Sequence, residues 1–483
     1  MAVTYNTSPV TQAASLLTYT SPSPKLTLQS NGFYSYQAHN LFLNSASPAN
    51  QSITVVSGAT YSIIITGATT TTLSGAATGT ITAGTTNITA ATTTLTFGST
   101  SGAGTVQVTR TPADLTYLAT TGSARYNLPY EWNTSGTALG IRVEPSATNL
   151  CFPCRPANGG GQWPFNLATS GGTVTGPFGG NAMILTEAAS TGQHYTGDGT
   201  NQSFSLTSGT TYGIQCAVKK GTRTWCWVGG FNSGIGDKRI FFNFDTGAYG
   251  TVSSGLTTFA PISMGNGYWL IGAAYTATTN SNFSFRIGLA SADNTPSYAG
   301  STSENMIAAF AQWEVGPPTS PIETFGSTVT RAADQPNDAT SDFSYSATTN
   351  TVAVTGRTAS GSGTQVFWQL DDGTDNERIR IVRDSSNNMR CIVTDGGVEQ
   401  ANINLGAVAN NTAFRVALAW AANDIAACLD GGSVSTDTGA TIPTVTTLRI
   451  GYSSAGEQCN GHNAALVQVP RRVSNADLPT FGA

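Results

Sequence analysis

Apolar residues in this chain come in short runs set off by glycine, asparagine and serine at intervals of about ten residues, a spacing that predicts a β-sandwich or barrel. Between Tyr36 and Arg110 these runs include Ile53-Thr54-Val55-Val56, Tyr61-Ser62-Ile63-Ile64-Ile65, Thr94-Leu95-Thr96-Phe97 and Val106-Gln107-Val108. Further strands are expected at 212–218, 224–228, 239–244, 268–275 and 283–289. A third series is expected at 351–354, 365–370, 378–383, 389–394, 414–420 and 447–450. Arg378-Ile379-Arg380-Ile381-Val382-Arg383 alternates as a sheet with one wet face does. The predicted fold is all-β: a multi-domain β-sandwich and jelly-roll protein with an extended N-terminal arm. Its expected divisions are an arm over 1–35, a small β-sandwich over 36–110, a connector over 111–147 containing Pro112, Pro129 and Pro145, a carbohydrate-binding-like jelly roll over 148–318, a linker over 319–336 and a concanavalin-like jelly roll over 337–483.

The chain also repeats itself. Asn50-Gln51-Ser52-Ile53-Thr54-Val55, followed by Ser57-Gly58 and Thr60-Tyr61, matches Asn201-Gln202-Ser203-Phe204-Ser205-Leu206, followed by Ser208-Gly209 and Thr211-Tyr212, without a gap. Upstream, Asn40-Leu41 echoes Asn149-Leu150. The repeating unit is a strand, a Ser-Gly bend and a strand opened by tyrosine, and its long period points to related sandwich domains rather than a solenoid.

Composition narrows the classes. Charged residues make up 10% of the 483 positions and the net charge is −5, so no basic stripe exists and nucleic acid is not an expected partner. With 39% hydrophobic residues the chain is too apolar for the disorder that Gly/Ser/Thr richness would otherwise suggest. No apolar run is long enough for a membrane-spanning helix, and Met1-Ala2-Val3-Thr4-Tyr5-Asn6 does not read as a secretory signal peptide.

Few residues carry readable chemistry. The seven cysteines are odd in number, so at least one is expected to lack an intrachain partner. Cys216 and Cys226 flank Lys219-Lys220-Gly221-Thr222-Arg223; a five-residue hairpin there would set them across two strands, close enough for a disulfide if the pair is a narrow one. Cys151 and Cys154 form a C-x-x-C without a second ligand pair for zinc and read as structural or intermolecular thiols, themselves disulfide candidates. Asp371-Asp372-Gly373-Thr374-Asp375 reads as a turn; its aspartates are also of a type that binds calcium. No catalytic residue, metal site or cofactor is assigned, and the chain is expected not to be an enzyme. Gly159-Gly160-Gly161 leads into Trp163-Pro164 and is a loop, not a phosphate cradle. Three tryptophans are glycan-binding candidates: Trp163 in that loop, and Trp225 and Trp227, which share one face of a strand.

Three passages resemble repetitive bacteriophage structural and tail-fibre proteins. One runs from Val108-Thr109-Arg110-Thr111 through Gly140-Ile141-Arg142-Val143-Glu144-Pro145-Ser146-Ala147-Thr148-Asn149-Leu150. A second joins Ser208-Gly209-Thr210-Thr211-Tyr212 to Val218-Lys219-Lys220-Gly221-Thr222-Arg223-Thr224-Trp225. The third runs from Ala311-Gln312-Trp313-Glu314-Val315-Gly316 to Thr330-Arg331-Ala332-Ala333-Asp334, where a concanavalin-like (laminin-G-like) module usually begins. Cys151-Phe152-Pro153-Cys154 departs from the usual opening of the carbohydrate-binding-like module. The resemblance implies a virion protein, as a tail fibre, collar fibre or capsid decoration, whose partners are other virion proteins, further copies of itself (a homotrimer by analogy) and host-surface glycans. The rival readings are a glycan-degrading depolymerase and a secreted bacterial lectin. Residues 1–35, with three prolines and few apolar side chains, are expected to anchor the protein to the particle.

Overall fold

Threonine, valine and isoleucine fill the runs between the glycine and asparagine breaks, and these β-branched residues suit the pleated strands they form. The computed structural model describes all residues except 1–2, 7–16, 21–22, 159–160, 233–235 and 360–362. Among the described residues the regular structure is antiparallel strand, with four single-turn 3-10 helices and no α-helix. The all-β, multi-sandwich fold is as expected. Gly159 and Gly160 of the triglycine loop lie outside the described residues.

The chain divides into two units, each assembled from separated stretches: Pro24–Tyr126 with Ala147–Arg331, and Met1–Ser23 with Asn127–Ser146 and Ala332–Ala483.

The unit containing Pro24–Tyr126 holds two sandwiches. In the smaller, a three-stranded sheet (Gly84–Thr89, Thr60–Ile65, Val106–Arg110) and a four-stranded sheet (Gln51–Thr54, Thr94–Ser101, Thr70–Gly75, Gly79–Ile81) share a core of Phe42, Ile63, Leu95, Phe97 and Val108. In the larger, two seven-stranded sheets enclose Ile214, Cys216, Val228, Phe285, Ile287 and Trp313.

These sandwiches, though different in size, share one set of closing contacts, matched down to single hydrogen bonds. Each opens on a buried asparagine. Asn40 Oδ1 accepts from the N–H of Phe42 and of Val108 (both 3.0 Å), and its Nδ2 donates to the carbonyls of Val106 (3.2 Å) and Leu118 (2.9 Å). Asn149 does the same with Cys151 (3.0 Å), Trp313 (3.2 Å), Ala311 (3.1 Å) and Ile322 (2.8 Å). The Ser-Gly bends are equivalent too. Gly58 and Gly209 take φ of 84° and 83°, a left-handed conformation that favours glycine, and donate to Ala90 and Ala277 (2.7 Å each). The tyrosine opening the next strand reaches back: Tyr61 Oη accepts from Val56 N–H (2.8 Å) and Tyr212 Oη from Thr207 N–H (2.9 Å). Finally a short strand closes each module on its opening strand: Arg125–Tyr126 on His39–Asn40, and Val329–Arg331 on Ala147–Asn149. The passages 111–126 and 319–331, expected as connector and linker, are therefore the ends of the two modules.

Much of the anchor expected over 1–35 lies outside the described residues, but its last part is packed. Leu26–Leu28 and Tyr34–Tyr36 form a hairpin whose buried Leu26, Leu28, Tyr34 and Tyr36 pack with Phe178, Leu270 and Phe310 on the larger sandwich. The few apolar residues there suffice because an existing sheet supplies the rest of the surface.

In the other unit, an eight-stranded sheet runs in the order Tyr130–Trp132, Ala138–Val143, Gly461–Val469, Asn350–Arg357, Ala413–Ala421, Asp424–Leu429 and Ser435–Asp437, with Val3–Asn6 also pairing with Gly461–Val469. A seven-stranded sheet runs in the order Thr18–Thr20, Gln335–Ala339, Thr447–Ile450, Gln365–Asp371, Arg378–Arg383, Asn388–Asp395 and Val398–Ala407. Between them lie Val354, Phe367, Trp368, Ile381, Leu418 and Trp420. Residues 3–6 and 18–20 of the expected arm, and 130–132 and 138–143 of the expected connector, are thus strands of this unit.

Candidate functional site

Successive side chains of strand Trp225–Asn232 point to opposite faces of its sheet. Cys226 and Val228 enter the core of the larger sandwich, so Trp225 and Trp227 face the other way, onto the outer side of the sheet. Their shared face is as the sequence implies, yet Trp227 is fully buried there. Its indole lies over Gly288 of the neighbouring strand, where any Cβ would collide with the ring, and its Nε1–H donates to Leu289 O (3.0 Å).

What covers Trp227 is a layer built from a second ring and two guanidinium groups. Arg239 sits with Cζ 4.4 Å from the Trp227 ring centre. Tyr195 meets the same indole edge-on at 5.8 Å, and Arg286 lies 4.6 Å over Tyr195. Such cation–ring contacts strengthen as water is excluded. Each arginine has its own carboxylate: Arg286 Nε is 2.7 Å from both oxygens of Asp198, and Arg239 pairs with Asp237. Arg239 Nη2 also donates to Gln193 Oε1 (2.8 Å), whereas its Nε is buried without a partner among the described residues. Burial lowers the Arg239 pKa. Burial, with the Asp198 carboxylate adding to it, raises the Tyr195 phenol to about 12, and Tyr195 Oη donates to Asp198 (2.8 Å). The carboxylates remain open to solvent: Asp198 and Asp237 keep 27% and 32% side-chain exposure.

The other candidates sit elsewhere. Trp163 is not an exposed loop residue: it is buried in the core, its Nε1–H donating to Pro153 O (2.9 Å). Trp225 is half-buried and packs against the Trp227 cluster.

The Cys216–Cys226 hairpin is also corrected. Thr211–Lys220 pairs with Tyr268–Thr276 and Asn305–Val315, whereas Trp225–Asn232 pairs with Lys238–Asn243 and Ser281–Ala290. The four residues between them cross from one sheet to the other, so 216 and 226 are not opposite each other on neighbouring strands. All seven cysteines are buried, and no disulfide is seen among the described residues. Cys154, whose thiol burial raises to about 11, is engaged with Thr324: Sγ donates to its carbonyl (3.3 Å) and accepts from its N–H (3.2 Å). Asp371 pairs with Arg449 (2.7 Å) and Asp375 with Arg378 (2.5 Å), while Asp372 accepts from Thr374. No group of three or more His, Cys, Asp and Glu side chains is arranged for a metal among the described residues.

A second polar cluster lies on the eight-stranded sheet. Glu131 accepts from Arg142 (3.0 Å) and meets His462 Nε2 (2.6 Å), and Arg142 Nε reaches Glu144 (2.5 Å). Burial pushes the Glu131 carboxyl up, but Arg142 and His462 outweigh it and hold it at about 2. Its groups are paired with one another, as in a structural ion network.

The residues that sequence reasoning missed, Gln193, Tyr195, Asp198, Asp237, Arg239 and Arg286, did leave a trace. Arg239-Ile240-Phe241-Phe242 and Phe285-Arg286-Ile287 each set an arginine directly against apolar strand residues.

No known protein family matches the chain, and no curated protein does. Solved structures do align with it. The carbohydrate-binding module CBM40 of a Ruminococcus gnavus IT-sialidase, bound to alpha2,6 sialyllactose, is 16% identical over 29% of this chain and 85% of its own, with a TM-score of 0.25. Trypanosoma rangeli sialidase is 13% identical over 64% of this chain and 52% of its own, also at 0.25. The NanB sialidase of Streptococcus pneumoniae is 12% identical over 28% of this chain and 24% of its own, again at 0.25. The expectation that the chain is not an enzyme is corrected by this finding, since sialidases stand among its matches. At these TM-scores the alignments carry no argument for a shared site, ligand or reaction.

Proposed function

We propose that the chain is a glycan-recognising attachment component of a virion surface, in a fibre, collar or decoration, working beside other virion proteins and further copies of itself. The glycan contact is placed on the outer sheet face around Tyr195, Asp198, Asp237, Arg239 and Arg286. One observation carries the reading: two carboxylate–guanidinium pairs stand side by side on aromatic rings, with their carboxylates still accessible. A sugar diol can donate to such a carboxylate while accepting from its guanidinium. Both arginine charges are balanced within the site, so neutral rather than acidic sugars are the favoured class. The virion assignment is supported by the charge-poor, Thr/Gly-rich composition and by the three fibre-like passages of sequence.

Screening the whole chain against neutral and acidic glycans tests the first part. Neutral hexose ligands are expected, with binding lost in Asp198→Asn and Arg239→Lys while the circular dichroism spectrum is unchanged. Binding that survives both substitutions would move the site elsewhere, and binding restricted to acidic glycans would refute the charge argument. Immunogold labelling of native particles tests the second part; unlabelled particles would refute it.

A further inference from the structure

His39 is fully buried at the opening strand of the first module, and both its ring nitrogens are committed. Nδ1 lies 2.7 Å from Gln37 O, and Nε2 lies 2.8 Å from the backbone nitrogen of Arg110. A carbonyl can only accept and an amide N–H can only donate. The ring is therefore neutral, with its proton on Nδ1 and a lone pair on Nε2. A second proton would turn that acceptor against the Arg110 N–H.

The surroundings make that proton costlier. Arg110 lies 4.9 Å over the Tyr36 ring, with Nη2 3.9 Å from Glu323. Glu323 is already engaged by Arg155 (Nε, 3.0 Å) and by Tyr36 Oη (2.9 Å). Lys25 is buried in the adjoining stretch, its backbone N–H bound to Gln37 Oε1 (2.7 Å). Tyr126 stacks on the imidazole at 6.0 Å, and Tyr61 is the remaining phenol of this group. One carboxylate thus serves two guanidinium groups, those of Arg110 and Arg155. Burial first, with Arg110 adding to it and the Gln37 carbonyl opposing, lowers the His39 pKa to about 4.

We propose that His39 is an acid-sensitive latch: protonation of its ring releases the closing strand Arg125–Tyr126 and opens the first module, while the second module stays shut. Tyr126 pairs with His39 in that closure. The second module provides the contrast. In its equivalent closure Thr148 stands where His39 does, opposite Thr330, with their hydroxyls 2.8 Å apart, and neither group titrates in this range.

The sign follows from the depressed value. The opened form takes up the proton with an ordinary histidine pKa near 6.5, so the closed form loses stability as pH falls from about 6.5 to about 4. Hydrogen exchange on the full chain, corrected for intrinsic rates, reads this directly. Segments 37–42 and 120–127 are expected to lose about a hundredfold protection across that window, while 147–151 and 327–331 change little. An NMR titration of His39 is expected to inflect near 4. Unchanged protection in the first pair of segments, equal loss in both modules, or a His39 inflection between 6 and 7 would each overturn the latch. His39→Phe keeps a ring that cannot titrate and is expected to abolish the pH dependence; if it does not fold, the exchange and titration of the natural chain still decide.

Discussion

Replacing Asn149 by alanine tests whether the module closes on one side chain. The asparagine is fully buried and joins three separate stretches: the residues just after its own strand through Cys151, the strand Asn305–Val315 through Ala311 and Trp313, and the closing passage through Ile322. Alanine deletes all four hydrogen bonds. At about 1 kcal/mol net for each, the loss is about 4 kcal/mol, and the two N–H groups left buried add to it because a stranded donor costs more than its bond contributed. Against a typical total of about 5–15 kcal/mol, this is enough to populate opened forms. Asn149→Asp should be at least as damaging, since a carboxylate oxygen would then face the carbonyls of Ala311 and Ile322. Urea unfolding followed by tryptophan fluorescence gives the size of the effect. Because the chain has more than one folding unit, hydrogen exchange at 147–151 and 311–322 is needed to locate it. Asn40→Ala should produce a similar loss at 40–42 and 106–118. A change under about 1 kcal/mol in both variants would refute the role given to the asparagine.

Tyr61→Phe and Tyr212→Phe each strip one backbone N–H of its acceptor and should cost about 1–2 kcal/mol apiece; markedly unequal losses in chemical denaturation would break the equivalence of the two bends. Gln468 is fully buried, and both its amide atoms lack a partner among the described residues. Gln468→Leu should therefore raise the melting temperature, and a lower one would show that the amide is satisfied. Native protein should show no fast-reacting thiol toward Ellman's reagent, and seven once unfolded; fewer after unfolding without reductant would reveal a disulfide.

The sequence revealed whatever rests on local chemistry. The Ser-Gly bend and its tyrosine were legible because a left-handed glycine and a back-reaching phenol leave a fixed spacing. The long strands were legible through their alternation. The closing strands Arg125–Tyr126 and Val329–Arg331 were not, since two or three residues carry no periodicity and only the asparagine they lie beside shows their purpose. The segment 219–223 looked like a hairpin because a short polar connection between apolar runs has the same composition whether it turns within a sheet or arches between two. The alternation of Trp225 and Trp227 correctly gave their common face, but alternation says nothing of what later covers that face, and Arg239 comes from a different strand.

The correspondence between the two sandwiches also locates the candidate site in only one of them. Register fixes the correspondence: Ile53 opposite Leu95 matches Phe204 opposite Phe283, so Gly98 stands where Arg286 does. In the same way Thr72, opposite both Gly98 and Thr80, stands where Gly229 stands opposite both Arg286 and Arg239. The first module thus offers Gly98 and Thr80 where the second offers two arginines. The shared asparagine, bend and closing strand hold either copy shut, so they cannot distinguish what the copies do. The outer-face residues are free of that duty, and there the copies diverge: hydroxyl and glycine in one, charge-balanced arginines over aromatic rings in the other. Asp198→Asn and Arg239→Lys therefore act on the face proposed for recognition in the second module, and neither removes a group that closes either sandwich.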